Sequence, residues 1–226
     1  MKRSGPRSPW KSRSVPRGVA VRCVFRLTLL AVFAAWGAAG CSDDSPVTSG
    51  PTNVVSEQPV AGSACGAVER EYTLAEPKHV ENCRPIEYGS NPPSSGTHYG
   101  TWAAFRNYDT PIERGFAVHS MEHGAVVLSY HCDDCDEEVA AVRALIEELG
   151  PDPLCCSGTS CANPVSRLIL MPDPELDTRF AAASWGFTLR AGCFEPEVFR
   201  AFVNTHRGRG PEAVCADGVD VTDPPC

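Results

Sequence analysis

The chain reads as a disulfide-rich α+β domain, order β-β-α-β-β-α, with two helices on one face of a largely antiparallel sheet. Three observations predict it. Residues 136–149 and 196–206 carry apolar side chains at three- and four-residue spacing, the mark of helices with one buried face. Segments 114–118, 125–131, 167–171 and 181–189 have the length and apolar content of strands. Ten cysteines follow Cys41, a density typical of exported, disulfide-stapled domains.

The first 26 residues hold eight basic side chains and no acid, and the short apolar run 27–36 leads to Gly37-Ala38-Ala39-Gly40-Cys41. A basic start, a short apolar stretch and small residues before a cleavage point make a secretory signal over residues 1–40. The run is too short to span a membrane comfortably. Cys41 after Ala39-Gly40 is similar to the lipobox of bacterial lipoproteins, which implies cleavage before Cys41 and lipid on its thiol. The chain is then expected in the cell envelope, exported and anchored to the membrane through Cys41. Ordinary cleavage with a free Cys41 is the alternative.

Residues 41–63 are rich in Ser, Pro, Thr and Gly and read as a flexible tether of roughly 25 Å root-mean-square reach. Residues 64–226 form the globular domain. Without the eight basic residues of the leader, 12 basic residues stand against 28 acids, a formal charge of −16. Such a surface repels nucleic acid and anionic headgroups and tolerates cations. The composition names no protein partner.

Within the domain, residues 84–88 suit a short strand. Residues 91–100, with two prolines and two glycines, read as loop. Residues 114–118 and 125–131 read as strands; Val126, Val127 and Leu128 are an apolar run that suits a mostly buried strand. In 136–149 the apolar face is Val139, Val142, Leu145, Ile146 and Leu149, acids crowd the first turn, and Gly150-Pro151 ends the helix. Residues 151–165 are a Cys-rich loop. Strand 167–171 stops at Pro172, and 181–189 is a strand anchored by Trp185. Pro196 opens the second helix, whose apolar face is Val198, Phe199, Phe202 and Val203. The disulfide candidates are Cys65, Cys83, Cys132, Cys135, Cys155, Cys156, Cys161, Cys193, Cys215 and Cys226, with far too many pairings for spacing to select one. Cys132-Asp-Asp-Cys135 has redox and zinc-site spacing, but two acids between the thiols raise their pKa, and a structural disulfide is the expectation.

The chemistry concentrates between residues 91 and 130. His98 follows Pro92-Pro93-Ser94-Ser95-Gly96-Thr97, and His119-Ser120-Met121-Glu122-His123 begins 21 residues after His98. On a strand His119, Met121 and His123 share a face, and His98 can close the set. Imidazoles with a thioether suit copper, and imidazoles with a carboxylate or water suit zinc. Glu122, on the opposite face, then orients a ligand from behind. His79 and His206 have no sequence partner and read as surface.

These motifs carry a resemblance. Pro92-Pro93-Ser94-Ser95-Gly96-Thr97-His98-Tyr99, His119-x-x-Glu122-His123-Gly124 before a strand ending in Tyr130, Ala183-x-Trp185-Gly186, Phe202 and Gly210-Pro211-Glu212 resemble domain of unknown function family 3105 over residues 84–213. The resemblance implies an exported or membrane-anchored bacterial protein and transfers no activity. Met121 stands where that family often has Leu, and Thr97 where it often has Pro.

Three functions compete. The first is a cell-envelope lipoprotein binding copper or zinc through His98, His119, His123 and Met121. The second is a non-catalytic interaction module with structural histidines. The third is a zinc metallohydrolase, since His119-x-x-Glu122-His123 is also the motif of the inverted zinc peptidases, whose chemistry needs a helix that Gly115, Gly124 and the flanking valines disfavour. Convergence of the imidazoles within about 4 Å of one point separates the first from the second.

Overall fold

The computed structural model describes residues 45–50, 52–155, 164–212, 214–222 and 226. Strands β1 (Val47–Thr48), β2 (Val54–Pro59), β3 (Val68–Tyr72), β4 (Lys78–Val80), β5 (Ile86–Glu87) and β6 (Thr97–Tyr99) come first. Then follow α1 (Arg114–Glu122), β7 (Val126–Tyr130), α2 (Asp136–Leu149), β8 (Leu168–Pro172), β9 (Phe180–Ser184), β10 (Phe187–Ala191) and α3 (Pro196–His206). The main sheet runs β2-β3-β10-β9-β7-β8, antiparallel except for the β7–β8 edge, which α2 connects. Parallel pairs β1–β5 and β4–β6 stand apart from it. The fold is α+β, with a mostly antiparallel sheet as expected.

Alternation of side chains along the central strands explains how the sheet is covered. Val126 and Leu128 of β7, and Leu168 and Leu170 of β8, meet Val139, Val142 and Leu145 of α2 and Phe199, Phe202 and Val203 of α3. Val127, Ile169 and Met171 point the other way, to Phe116, Ala117, Met121, Tyr99 and Tyr108. The two predicted helices do share one face. A third helix and the loops around it cover the other, which is why β7 is an apolar run.

Four expectations are corrected. Residues 114–118, expected as strand, lie in α1, which is nine residues long. Gly115 through Glu122 are all buried, so α1 has no polar stripe from which a 3.6-residue period is readable. Gly115 lets α1 approach β6: an added Cβ would lie 2.7 Å from the Tyr99 ring. Second, 181–189 is not one strand but part of a hairpin, β9 and β10, turning at Trp185-Gly186 with Gly186 at φ +86°. Third, residues 54–59, read as tether, form the edge strand β2, whose ladder to β3 supplies the backbone hydrogen bonds that its exposed side chains gave no sign of. Fourth, His206 is buried rather than surface, packed on Phe187 and Phe202 with Nε2 3.0 Å from Glu69 Oε1.

Among the described residues four disulfides form: Cys65–Cys193, Cys83–Cys226, Cys132–Cys135 and Cys155–Cys215. Cys41, Cys156 and Cys161 lie outside the described residues.

Candidate metal centre

The site gathers at the C-terminal end of α1. The helix stops in a Schellman arrangement: Gly124 N–H donates to the Met121 carbonyl at 2.9 Å and Ala125 N–H to the Ser120 carbonyl at 2.9 Å. Gly124 takes φ +88°, and a Cβ there would also lie 2.9 Å from Gly208 Cα. The last turn therefore carries His119 and Glu122 on one side (i, i+3) and releases His123 at the cap. Gly210 seats the tail against this end, where a side chain would fall 2.2 Å from the Glu122 carbonyl. Glu212 N–H donates to that carbonyl at 3.0 Å, which places Glu212 beside His123.

His98 comes from β6, and β4 lies parallel to it with His79 in register with His98. Helix α1 packs on β6, so the rings meet. Their centroids form a nearly equilateral triangle: His79–His98 4.7 Å, His79–His119 4.8 Å and His98–His119 4.8 Å. Glu122 Oε2 lies 3.0 Å from His98 Nε2, 3.8 Å from His79 Nε2 and 4.0 Å from His119 Nε2. The four ligand atoms lie within 4.8 Å of one another, a His₃Glu cluster that can hold a metal ion. Ligands at the usual zinc bond length in a tetrahedron stand roughly 3.3–3.5 Å apart, so the observed spacing is a shell loosely assembled around one point.

The hydrogen bonds fix which nitrogens face that point. His98 Nδ1–H donates to the Gly96 carbonyl at 2.7 Å, and His119 Nδ1–H to the Tyr99 carbonyl at 2.7 Å. Each Nε2 is then a bare lone pair turned inward, the orientation that carbonyl partners give metal-bound histidines. His98 Nε2 and Glu122 Oε2 are buried without a hydrogen-bond partner. Their 3.0 Å approach sets a lone pair against a carboxylate oxygen, which requires a proton or a cation between them.

The contact is not an ordinary ion pair. Burial, with the neighbouring imidazoles, lowers the His98 and His119 pKa values to about 4, so both rings are neutral at pH 7. Burial, then Glu212, raises that of Glu122. Desolvation is the largest cause for all three groups, and it disfavours the charged form of each.

Of the residues expected to ligate, His98 and His119 are in the cluster. His123 stacks on His119 at 4.8 Å and under Trp102 at 4.6 Å, with Nδ1 3.4 Å from the Glu212 carbonyl, and is outside the group. Met121, on the other side of the helix, packs with Phe116 and Val127. Glu122, expected behind the ligands, is among them. His79, expected as plain surface, is more than half exposed and yet contributes Nε2. Its 19-residue separation from His98 carries no sequence signal; only the β4–β6 pairing joins them.

No curated protein and no solved structure matches the chain. Residues 79–217 match the family described as Protein of unknown function (DUF3105), a span that starts at His79 and includes all four clustered side chains. It exceeds half of the 226 residues, and the chain belongs to that family.

Proposed function

We propose that the chain is an exported lipoprotein, anchored through Cys41, whose domain binds one transition-metal ion with His79, His98, His119 and Glu122. The observation that supports this most is the pair of backbone-locked imidazoles whose unprotonated Nε2 atoms turn toward a buried carboxylate. Three imidazoles and one carboxylate suit zinc or copper(II). Copper(I) would gain from a thioether, and Met121 is packed elsewhere. Two neutral histidines need lose no proton to bind at pH 7, and the ion replaces whatever proton bridges His98 and Glu122.

A hydrolase using Glu122 as a free base fits poorly, because that carboxylate is itself among the four ligand atoms. Calorimetric titration of zinc and copper(II) into metal-free protein is expected to give one site. His98→Ala and His119→Ala abolish it, while Met121→Leu leaves it unchanged. Equal binding by wild type and both alanine variants would refute the assignment. For the anchor, Cys41→Ser is expected to move the protein from the membrane to the soluble fraction.

A further inference from the structure

We infer that His79 is the ligand through which the ion enters and leaves, so that the centre exchanges its metal with a chelating donor presented from solvent. The inference rests on the metal-binding reading above and concerns how that site is used. The four ligands are unequal in two independent ways. The side chains of His98, His119 and Glu122 are 1%, 4% and 6% exposed, whereas that of His79 is 57% exposed. The rings of His98 and His119 are each fixed by an Nδ1–H bond to a backbone carbonyl. Among the described residues no hydrogen bond fixes the ring of His79, which meets the site through ring contacts with His98 and His119.

Three ligands are thus buried, two of them with locked rings, and the fourth is largely solvated, with no hydrogen bond to its ring among the described residues. A structural zinc site holds all four ligands fast and closes around the ion; an open one leaves a position reachable from outside. Here rotation of one imidazole creates that position without disturbing α1 or β6. Its strand β4 has three residues and lies outside the main sheet, and turning the side chain about its own bonds leaves the β4–β6 ladder in place. Glu212, 59% exposed and 3.9 Å from His123 Nδ1, adds negative charge beside the cluster and favours cation approach.

The step is a ligand exchange. A nitrogen, oxygen or sulfur donor of the incoming chelator bonds to the ion as the bond to His79 Nε2 breaks. The imidazole keeps its lone pair, and the ion keeps its oxidation state. Further donors then displace Glu122, His119 and His98 in turn. Because the chelator takes part before the ion leaves, the release rate depends on its concentration.

The test uses the detergent-solubilised full chain loaded with zinc and a chromogenic pyridylazo chelator in excess. Transfer is expected to accelerate in proportion to chelator over a tenfold concentration range. His79→Ala is expected to retain zinc with about tenfold weaker affinity and to hand it over about tenfold faster at equal chelator. Trp102→Phe, at a ring whose centroid lies 5.3 Å from that of His119, is expected to leave the rate within twofold. Release that is independent of chelator concentration and unchanged in His79→Ala overturns the exchange route alone. Failure of the wild-type protein to take up zinc or copper(II) removes the metal-binding reading and the exchange route with it.

Discussion

Glu122 shows at the scale of one residue how stability gives way to binding. Its carboxyl is buried among three imidazoles, and burial raises its pKa, so the ionised form is disfavoured in the metal-free fold. Glu122→Gln removes that cost. The melting temperature of the metal-free protein at pH 7 is expected to rise. Zinc-induced stabilisation, about 2.7 kcal/mol at a hundredfold excess over Kd in wild type, is expected to vanish in the same variant. Scanning calorimetry with and without zinc checks both. The histidines set the pH dependence. His98 and His119 titrate near 4 in the fold and at the ordinary 6.5 when unfolded, so between those values the unfolded chain binds more protons. The stability linked to these two rings is therefore fully present above about pH 6.5 and is lost as pH drops toward 4, with the single carboxyl of Glu122, whose pKa the fold raises, working in the opposite direction. Urea midpoints at pH 7, 5.5 and 4.5 are expected to decrease in that order, and a flat profile would contradict the burial account. His98, His119 and Glu122 were visible in the sequence as residues of the right type. His79 was not, because a ligand brought in by strand pairing leaves no local pattern.

At the scale of one element, α1 decides the site, and it was the least readable part of the chain. Amphipathic α2 and α3 announce themselves by a polar face, and with the acidic first turn, Gly150-Pro151 and Pro196 as end signals both were placed at their observed bounds. Helix α1 is buried on every side, and its glycine, valine and histidines have modest helix propensity, so tertiary packing rather than local preference makes it helical. The readable signal was at its end: Glu122-His123-Gly124 has the form of a helix closing on a left-handed glycine. Gly124→Ala is expected to cost about 2–3 kcal/mol in urea unfolding, because it adds left-handed strain to a Cβ only 2.9 Å from the Gly208 backbone. Gly62→Ala is the control. Its φ is +79°, but an added Cβ meets nothing within 4 Å, so only the conformational cost of about 1 kcal/mol remains. Gly124→Ala is also expected to weaken zinc binding through the displaced Glu122, which Gly62→Ala leaves alone. Equal costs at the two positions would mean that the close approach of the 208–210 segment to α1 contributes nothing.

Over the whole molecule, four disulfides among the described residues join segments far apart and close together in the chain. A leader that reads as a secretory signal and the cysteine density made disulfides expected, yet the pairings follow from three-dimensional proximity and could not be read from spacing. Their stabilising effects differ by the length of chain they close. Cys65 and Cys193 are 128 residues apart, and Cys132 and Cys135 only three. Closing a loop restricts the unfolded chain, and the restriction grows with the logarithm of its length: about 5 kcal/mol for the long loop and about 2 kcal/mol for the short one. The long bridge also anchors a segment with native work to do, since Ser63 Oγ and the Ala64 and Cys65 N–H groups bond the Glu195 carboxylate just ahead of α3. Replacing Cys65 and Cys193 together by alanine is therefore expected to lower the unfolding free energy by about 4–5 kcal/mol, and replacing Cys132 and Cys135 by about 2 kcal/mol. Zinc affinity is expected to survive the second change intact, because Cys132 follows the end of β7 opposite to the one that α1 enters. Chemical denaturation of both double variants, each with and without zinc, measures the difference. A cost at Cys132 and Cys135 as large as that at Cys65 and Cys193 would show that the short bridge holds the start of α2 against the sheet rather than merely shortening the unfolded chain.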